Sequence, residues 1–178
     1  MRTCGHCGKS VEGKRANATW CSASCRVMGA RARKSFPVEM RSVPSWVRFR
    51  LAPRGNGKLA KVPIQTSGRN ASTTNPATWN SFLAVSRATV GDGLGWVLSN
   101  GIGCIDLDDC IEDGVLSEFG RGLVDHYRGE AILIERSLSG RGVHIFLPME
   151  PGPGHVLPGM EIYPPDSGRF IALTGDRI

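Results

Sequence analysis

GLGWVLSNGIGCIDLDD, residues 93–109, consists of two apolar runs of strand length joined by Asn100-Gly101. Asn-Gly accepts the left-handed backbone that a type I′ turn demands, so the stretch is expected to form a β-hairpin. In the second run Asp106 and Asp108 stand two apart and therefore project to one face of the strand. Two carboxylates this close repel unless a cation neutralises them, and oxygen donors on a rigid strand suit Mg²⁺ or Mn²⁺. Asp109 points the other way and is read as ending the strand. An isolated Asp-x-Asp is weak evidence; its place at the end of the apolar run Ile102–Leu107 strengthens it.

The flanking segments extend the same pattern. From Pro44 the chain alternates, with Val47, Phe49 and Leu51 on one side and Trp46, Arg48 and Arg50 on the other. PRGNG reads as a turn and Leu59–Ile64 as the returning strand. Asn75-Pro76 is expected to open a helix, with Asn75 as its cap and Trp79, Phe82 and Leu83 as its buried stripe. A second helix is expected from about Ser117 to Tyr127, burying Leu116, Phe119, Leu123, Val124 and Tyr127. Further strands are expected at 131–135, 143–147, 160–163 and 170–173. Two helices among mostly antiparallel strands define an α+β body, and the 23 glycines suit a turn-rich one.

The charge is divided along the chain. Met1 to Lys61 holds 14 Lys and Arg against 2 Asp and Glu, whereas Val62 to Ile178 holds 8 against 14. That asymmetry points to a basic arm for a polyanion and a body with an acidic site of its own. No apolar run reaches membrane-span length and no hydrophobic leader is evident, so no membrane partner and a reducing, cytoplasmic setting are expected. A hydrophobic content of 40% excludes wholesale disorder.

The cysteines fit that setting. Cys4-x-x-Cys7 and Cys21-x-x-x-Cys25 are two short pairs, each able to present two thiolates to one structural Zn²⁺. A segment this small has almost no core, so metal binding would supply its folding energy. His6 is read as a loop residue, because four cysteines already close the site. Arg26, Arg31, Arg33 and Lys34 follow as a basic arm suited to phosphates. The expected organisation is a zinc knuckle and arm over 1–34, a linker over 35–43 and a main domain over 44–178. Cys104 and Cys110 flank the Asp-x-Asp and are read as small packed residues rather than as a second metal site.

Two more segments carry chemistry. Ser137-Leu138-Ser139-Gly140-Arg141-Gly142-Val143-His144 lies between two expected strands, and its hydroxyls, amides and Arg141 suit a triphosphate. His144 falls on the face opposite Val143 and Ile145. Glu161 sits between Met160 and Ile162, facing away from the core those two build. A third carboxylate there would complete a two-metal site for in-line phosphoryl transfer.

Taken in order, the strand-borne Asp-x-Asp, the Ser-x-Ser-Gly-x-Gly-x-His loop and the apolar-Glu-apolar strand closing on Arg169-Phe170 and Thr174-Gly175 resemble the archaeo-eukaryotic primase superfamily. Phage and plasmid primase–polymerase domains look most similar. The resemblance runs from about Trp46 to Ile178 and includes KVPI, NPATW, SLSGRGVHIF, MEIY and RFIALTG. It implies a palm resembling an RNA-recognition motif, joined to a smaller α/β unit, with the active site between them. It further implies two Mg²⁺ or Mn²⁺ ions on Asp106, Asp108 and Glu161. His144 would touch the incoming nucleotide, with Ser137, Ser139 and Arg141 in the same pocket and Lys61 and Arg169 on triphosphate or template. The activity implied is priming or polymerisation on single-stranded DNA from nucleoside triphosphates, in a bacterial host cytoplasm if phage-encoded. Relatives usually continue into further domains, so a replicative helicase is expected to act in trans, and Pro164-Pro165 departs from the family by interrupting the strand after Glu161. Competing readings are a non-catalytic nucleic-acid-binding or helicase-recruiting module, and another metal-dependent enzyme such as a nuclease or a D-x-D glycosyltransferase.

Overall fold

The computed structural model describes residue 4 and residues 10–15, 18–27, 36–55 and 59–178. Its body is α+β, with every strand pairing antiparallel. The helices of the body are α1 (Val38–Arg41), α2 (Phe82–Arg87) and α3 (Glu118–Tyr127). The strands are β1 (Trp46–Pro53), β2 (Leu59–Ile64), β3 (Gly93–Val97), β4 (Ile102–Leu107), β5 (Ile111–Glu112), β6 (Val115–Leu116), β7 (Leu133–Arg136), β8 (Val143–Pro148), β9 (His155–Leu157), β10 (Met160–Tyr163) and β11 (Phe170–Leu173). They form a four-stranded sheet ordered β11-β3-β1-β2, a five-stranded sheet ordered β7-β8-β4-β10-β9, and the short hairpin β5-β6.

The expected hairpin at Asn100-Gly101 is only half realised. Both turn residues have positive φ, 55° and 71°, as the type I′ reading requires. Beyond one bridge, Ser99 to Ile102, the two strands part into different sheets. Each is a central strand: β3 is flanked by β1 and β11, and β4 by β8 and β10, so neither has an edge left for the other. Ser45, Ser99 and Asn100 lock the parting point through hydrogen bonds of 2.7–3.0 Å.

Two cores follow from side-chain alternation. One face of the five-stranded sheet carries Ile105, Leu107, Val143, Ile145 and Ile134, covered by Val124 of α3 and by Cys110 and Ile111. The opposite face carries Cys104, Phe146 and Leu133 and packs on Trp46, Trp96 and Ile171 of the other sheet. Trp46 is the hub, with ring centroids 4.8 Å from Phe82, 5.1 Å from Phe36 and 5.3 Å from Trp96. Its indole N–H donates to the carbonyl of Met40 at 2.8 Å.

Several local expectations change. Residues 35–43, expected as a linker, contribute Phe36 and Met40 to the core, so the body begins before Pro44. The helix expected from Asn75 divides: Asn75 caps a single 3₁₀ turn (Pro76–Thr78), Trp79 turns extended, and Ser81 caps α2 separately. The division puts Phe82 and Val85 inside and leaves Leu83 47% exposed. In α3, capped by Ser117, Val124 is buried while Phe119 is 52% exposed. At the start of β1 both faces are covered, so Trp46 is as buried as Val47, and Leu51 lies near the open end. The strand β9 and the β5-β6 hairpin, turned by Asp113-Gly114, are elements the sequence reading did not anticipate.

Met40→Ala removes a fully buried side chain beneath Trp46. It is expected to cost about 2–4 kcal/mol in urea unfolding. A loss below about 0.5 kcal/mol would mean that the segment does not belong to the core.

Candidate functional site

The register of the five-stranded sheet brings four polar residues into one row. Glu161 of β10 pairs with Asp106 of β4, Asp106 with His144 of β8, and His144 with Glu135 of β7. Directly paired residues share a face, so the row continues the surface that Cys104, Phe146, Leu133 and Tyr163 hold one pair further along. There the two sheets pack together; at the row they separate into a cleft of about 440 Å³. Asp106, His144, Glu161 and Tyr163 line it, and Lys61, Arg54, Arg169 and Thr73 line it as well.

The individual contacts are specific. His144 is 2% exposed, with Nδ1 3.1 Å from Glu135 Oε1 and Nε2 3.7 Å from Asp106 Oδ1. Glu135 is fully buried and accepts backbone N–H groups from Thr174 and Gly175. The Tyr163 hydroxyl donates to Glu161, and the Arg169 guanidinium lies 5.1 Å from the Tyr163 ring centroid. Burial pushes the Asp106 carboxyl above its ordinary 3.8; Asp108 and Glu161 push the same way, while His144 and Lys61 oppose them. Tyr163 is pushed up to about 12, by burial first and then by its hydrogen bond to Glu161, so its hydroxyl stays a donor.

The other expected residues are distributed differently. Asp108 lies just past the end of β4 and is exposed. In the loop, the Ser137 and Ser139 hydroxyls meet at 3.0 Å and accept the backbone N–H groups of Gly142 and Arg141. Those two amides are thus engaged by the loop itself. Gly142 is required by close approach: a Cβ there would stand 2.5 Å from the Leu107 carbonyl oxygen. Arg141 pairs with Asp109 at 2.8 Å in an exposed salt bridge. Ser137, Ser139, Arg141 and Asp108 are not among the residues lining the cleft. Cys104 and Cys110 are buried with their thiols held protonated, chiefly by burial, which suits packing rather than ligation.

Tyr163 and Arg54, which line the cleft, and Glu135, buried behind His144, are residues that sequence reasoning missed. Tyr163 had a usable signal, standing two residues beyond Glu161 on the same face. Glu135, which stands between Ile134 and Arg136, lacked the apolar-Glu-apolar pattern of Glu161, and its pairing with His144 depends on register.

Two sets of donors suit metal ions. Cys4, Cys21 and Cys25 have sulfur atoms within 4.8 Å of one another, and Cys21 Sγ lies 3.4 Å from Cys25 Sγ. Ser22 starts a helical turn over residues 23–27 by accepting the Cys25 N–H, which aligns the two thiols one turn apart. Three soft donors at this spacing fit structural zinc; Cys7 and His6 lie outside the described residues, as do Arg31, Arg33 and Lys34. Asp106, Asp108 and Glu161 are hard oxygen donors of the kind Mg²⁺ and Mn²⁺ take. Among the described residues only the three thiols have all donor atoms within 4.8 Å, so these carboxylates are not drawn together as a closed cage.

No family model matches the chain, and no curated protein matches it. Among the described residues no helix is long and apolar enough to cross a membrane.

Zinc analysis of the purified protein is expected to give about one ion per chain, abolished by Cys21→Ser plus Cys25→Ser. At the cleft, a carboxyl that holds its proton more firmly folded than unfolded costs stability as pH rises. For Asp106 the cost is absent below 3.8 and complete above its raised folded value. Asp106→Asn removes the cost, so the metal-free variant should be more stable than wild type at neutral pH. At a pH of about 3, below both values, the gap should vanish. Thermal melts across this range measure it, and a gap independent of pH would refute the electrostatic cause.

Proposed function

We propose that this chain is a metal-dependent nucleotidyltransferase of the primase–polymerase type, copying single-stranded DNA from nucleoside triphosphates in phage or plasmid replication. The observation that carries the reading is the row His144, Asp106 and Glu161, backed by buried Glu135, in a cleft that Lys61, Arg54 and Arg169 also line. A volume of about 440 Å³ suits a small-molecule substrate of nucleotide size. The order of motifs along the sequence supports the same reading. In it the five-stranded sheet is the palm resembling an RNA-recognition motif, and the four-stranded sheet belongs to the smaller unit.

Asp106, Asp108 and Glu161 are the residues that would hold divalent ions. When bound, such ions lower the pKa of an attacking 3′-hydroxyl and neutralise a leaving pyrophosphate. Lys61, Arg54 and Arg169 offset triphosphate charge within the same cleft. His144 presents Nε2 to the cleft beside Asp106; as an imidazolium, with Nδ1–H on Glu135, it can donate Nε2–H to a substrate phosphate. Tyr163 orients the Glu161 carboxylate through its hydroxyl. Ser137, Ser139 and Arg141 join the substrate only if a phosphate displaces the hydrogen bonds and the Asp109 ion pair they now make. The thiol cluster and basic arm serve as a grip on template: exposed Arg26, with Arg31, Arg33 and Lys34 following in the sequence, suits phosphate contact without sequence reading.

The test is incubation with single-stranded DNA, labelled ribo- or deoxynucleotides and Mg²⁺ or Mn²⁺. Wild type is expected to yield extended product, and Asp106→Ala plus Asp108→Ala to lower the rate by about 100-fold or more. DNA binding without extension under either cation would overturn the catalytic reading and favour a binding module.

A further inference from the structure

Among the described residues, Glu135 is the one fully buried acidic side chain and His144 the one buried histidine, and the two are in contact. A carboxyl enclosed in this way is costly unless its oxygens are satisfied. Glu135 Oε2 accepts the Gly175 N–H at 2.7 Å and the Thr174 N–H at 3.3 Å. Oε1 accepts the Thr174 N–H at 3.2 Å and faces His144 Nδ1 at 3.1 Å. A carboxylate whose oxygens both take backbone N–H groups acts as an acceptor toward its next neighbour too. The hydrogen between Glu135 and His144 therefore sits on Nδ1. That leaves Nε2 as the ring nitrogen turned to Asp106 and the cleft.

We propose that Glu135 is a positioning residue: clasped by the Thr174-Gly175 turn, it holds the His144 proton on Nδ1 and commits Nε2 to the cleft. Only the role of Nε2 toward a nucleotide rests on the nucleotidyltransferase reading. A merely structural tie between β7 and the turn after β11 does not require Glu135. Thr174 Oγ1 donating to the Arg136 carbonyl at 2.7 Å, and the Arg136 N–H donating to the Asp176 carbonyl at 2.8 Å, already make that connection. An apolar residue at 135 would leave the Thr174 and Gly175 amides without this acceptor and the imidazole free to rotate or change tautomer.

Glu135→Gln separates these roles. Glutamine offers one acceptor oxygen and one donating NH₂. The two amides at Oε2 require the oxygen there, so the NH₂ faces His144. The ring must then present a bare Nδ1 and carry its proton on Nε2. Ring ¹⁵N–¹H correlation spectra of the full chain at mildly alkaline pH read this directly, with His144→Gln assigning the signal. The expected result is an Nδ1–H ring in wild type and an Nε2–H ring in E135Q. A bare Nδ1 in wild type overturns the proposal, and that spectrum alone decides it if E135Q fails to fold. An unchanged Nδ1–H pattern in folded E135Q overturns it too. In primer extension E135Q is expected to lose about 10- to 100-fold in kcat/KM for nucleotide, and an unchanged value overturns the functional assignment. Absence of extension by wild type counts against the nucleotidyltransferase reading alone, because the ring spectra still judge Glu135.

Discussion

The antiparallel register of β4 with β8 and β10 is the constraint from which the site follows. Directly paired residues in such a sheet lie roughly 4.5–5.5 Å apart at Cα. Pairing Asp106 with His144 on one side and Glu161 on the other therefore forces unlike and like charges into one row. A slip of one residue would send all of them to the apolar face beneath α3. The alternation Ile105, Leu107, Val143 and Ile145 forbids that slip, because those side chains fill the second core. The hydrophobic effect thus holds the charged groups in a geometry that their own repulsion opposes.

What makes the row tolerable is the surrounding set of partners. The Glu135 oxygens accept amides from the Thr174-Gly175 turn, Tyr163 donates to Glu161, and Lys61 and His144 oppose the rise in the Asp106 pKa. Desolvation still dominates at Asp106, whose carboxyl is pushed upward overall. Gathering these acids in one row therefore costs folding stability that their partners offset only in part. The contrast with the thiol cluster is instructive. There three donors already converge, as a structural site does, whereas the carboxylates stay apart.

The cleft exists because the two sheets share a core at one end only. The aromatic cluster of Trp46, Trp96, Phe36 and Phe82 joins them, and Ser45, Ser99 and Asn100 hold the point where β3 and β4 diverge. Beyond it the wall contributed by the four-stranded sheet supplies Lys61 of β2 and Arg169 just before β11. The division of charge along the chain thereby gains a spatial meaning. Part of the basic front half, Arg54 and Lys61, stands in the same cleft as the acidic back half.

The sequence by itself determined whatever depends on local periodicity and local chemistry. It was enough for the α+β class, the extents of β2, β10 and β11, the helix near Ser117 to Tyr127, and the pairing of Cys21 with Cys25. These follow from a two-residue side-chain period in strands, apolar residues at helical spacing, and cysteines one helical turn apart, none of which needs distant residues. Only the tertiary structure decided which strands pair. The Asn100-Gly101 turn formed as its dihedrals dictate, yet β3 and β4 went to separate sheets because both of their edges were claimed by other strands. The same long-range competition drew Phe36 and Met40 into the core and divided the helix expected from Asn75. It also set Glu135 against His144, a contact between residues nine apart that no local pattern encodes, since register is chosen by the fit of whole sheets rather than by any segment alone.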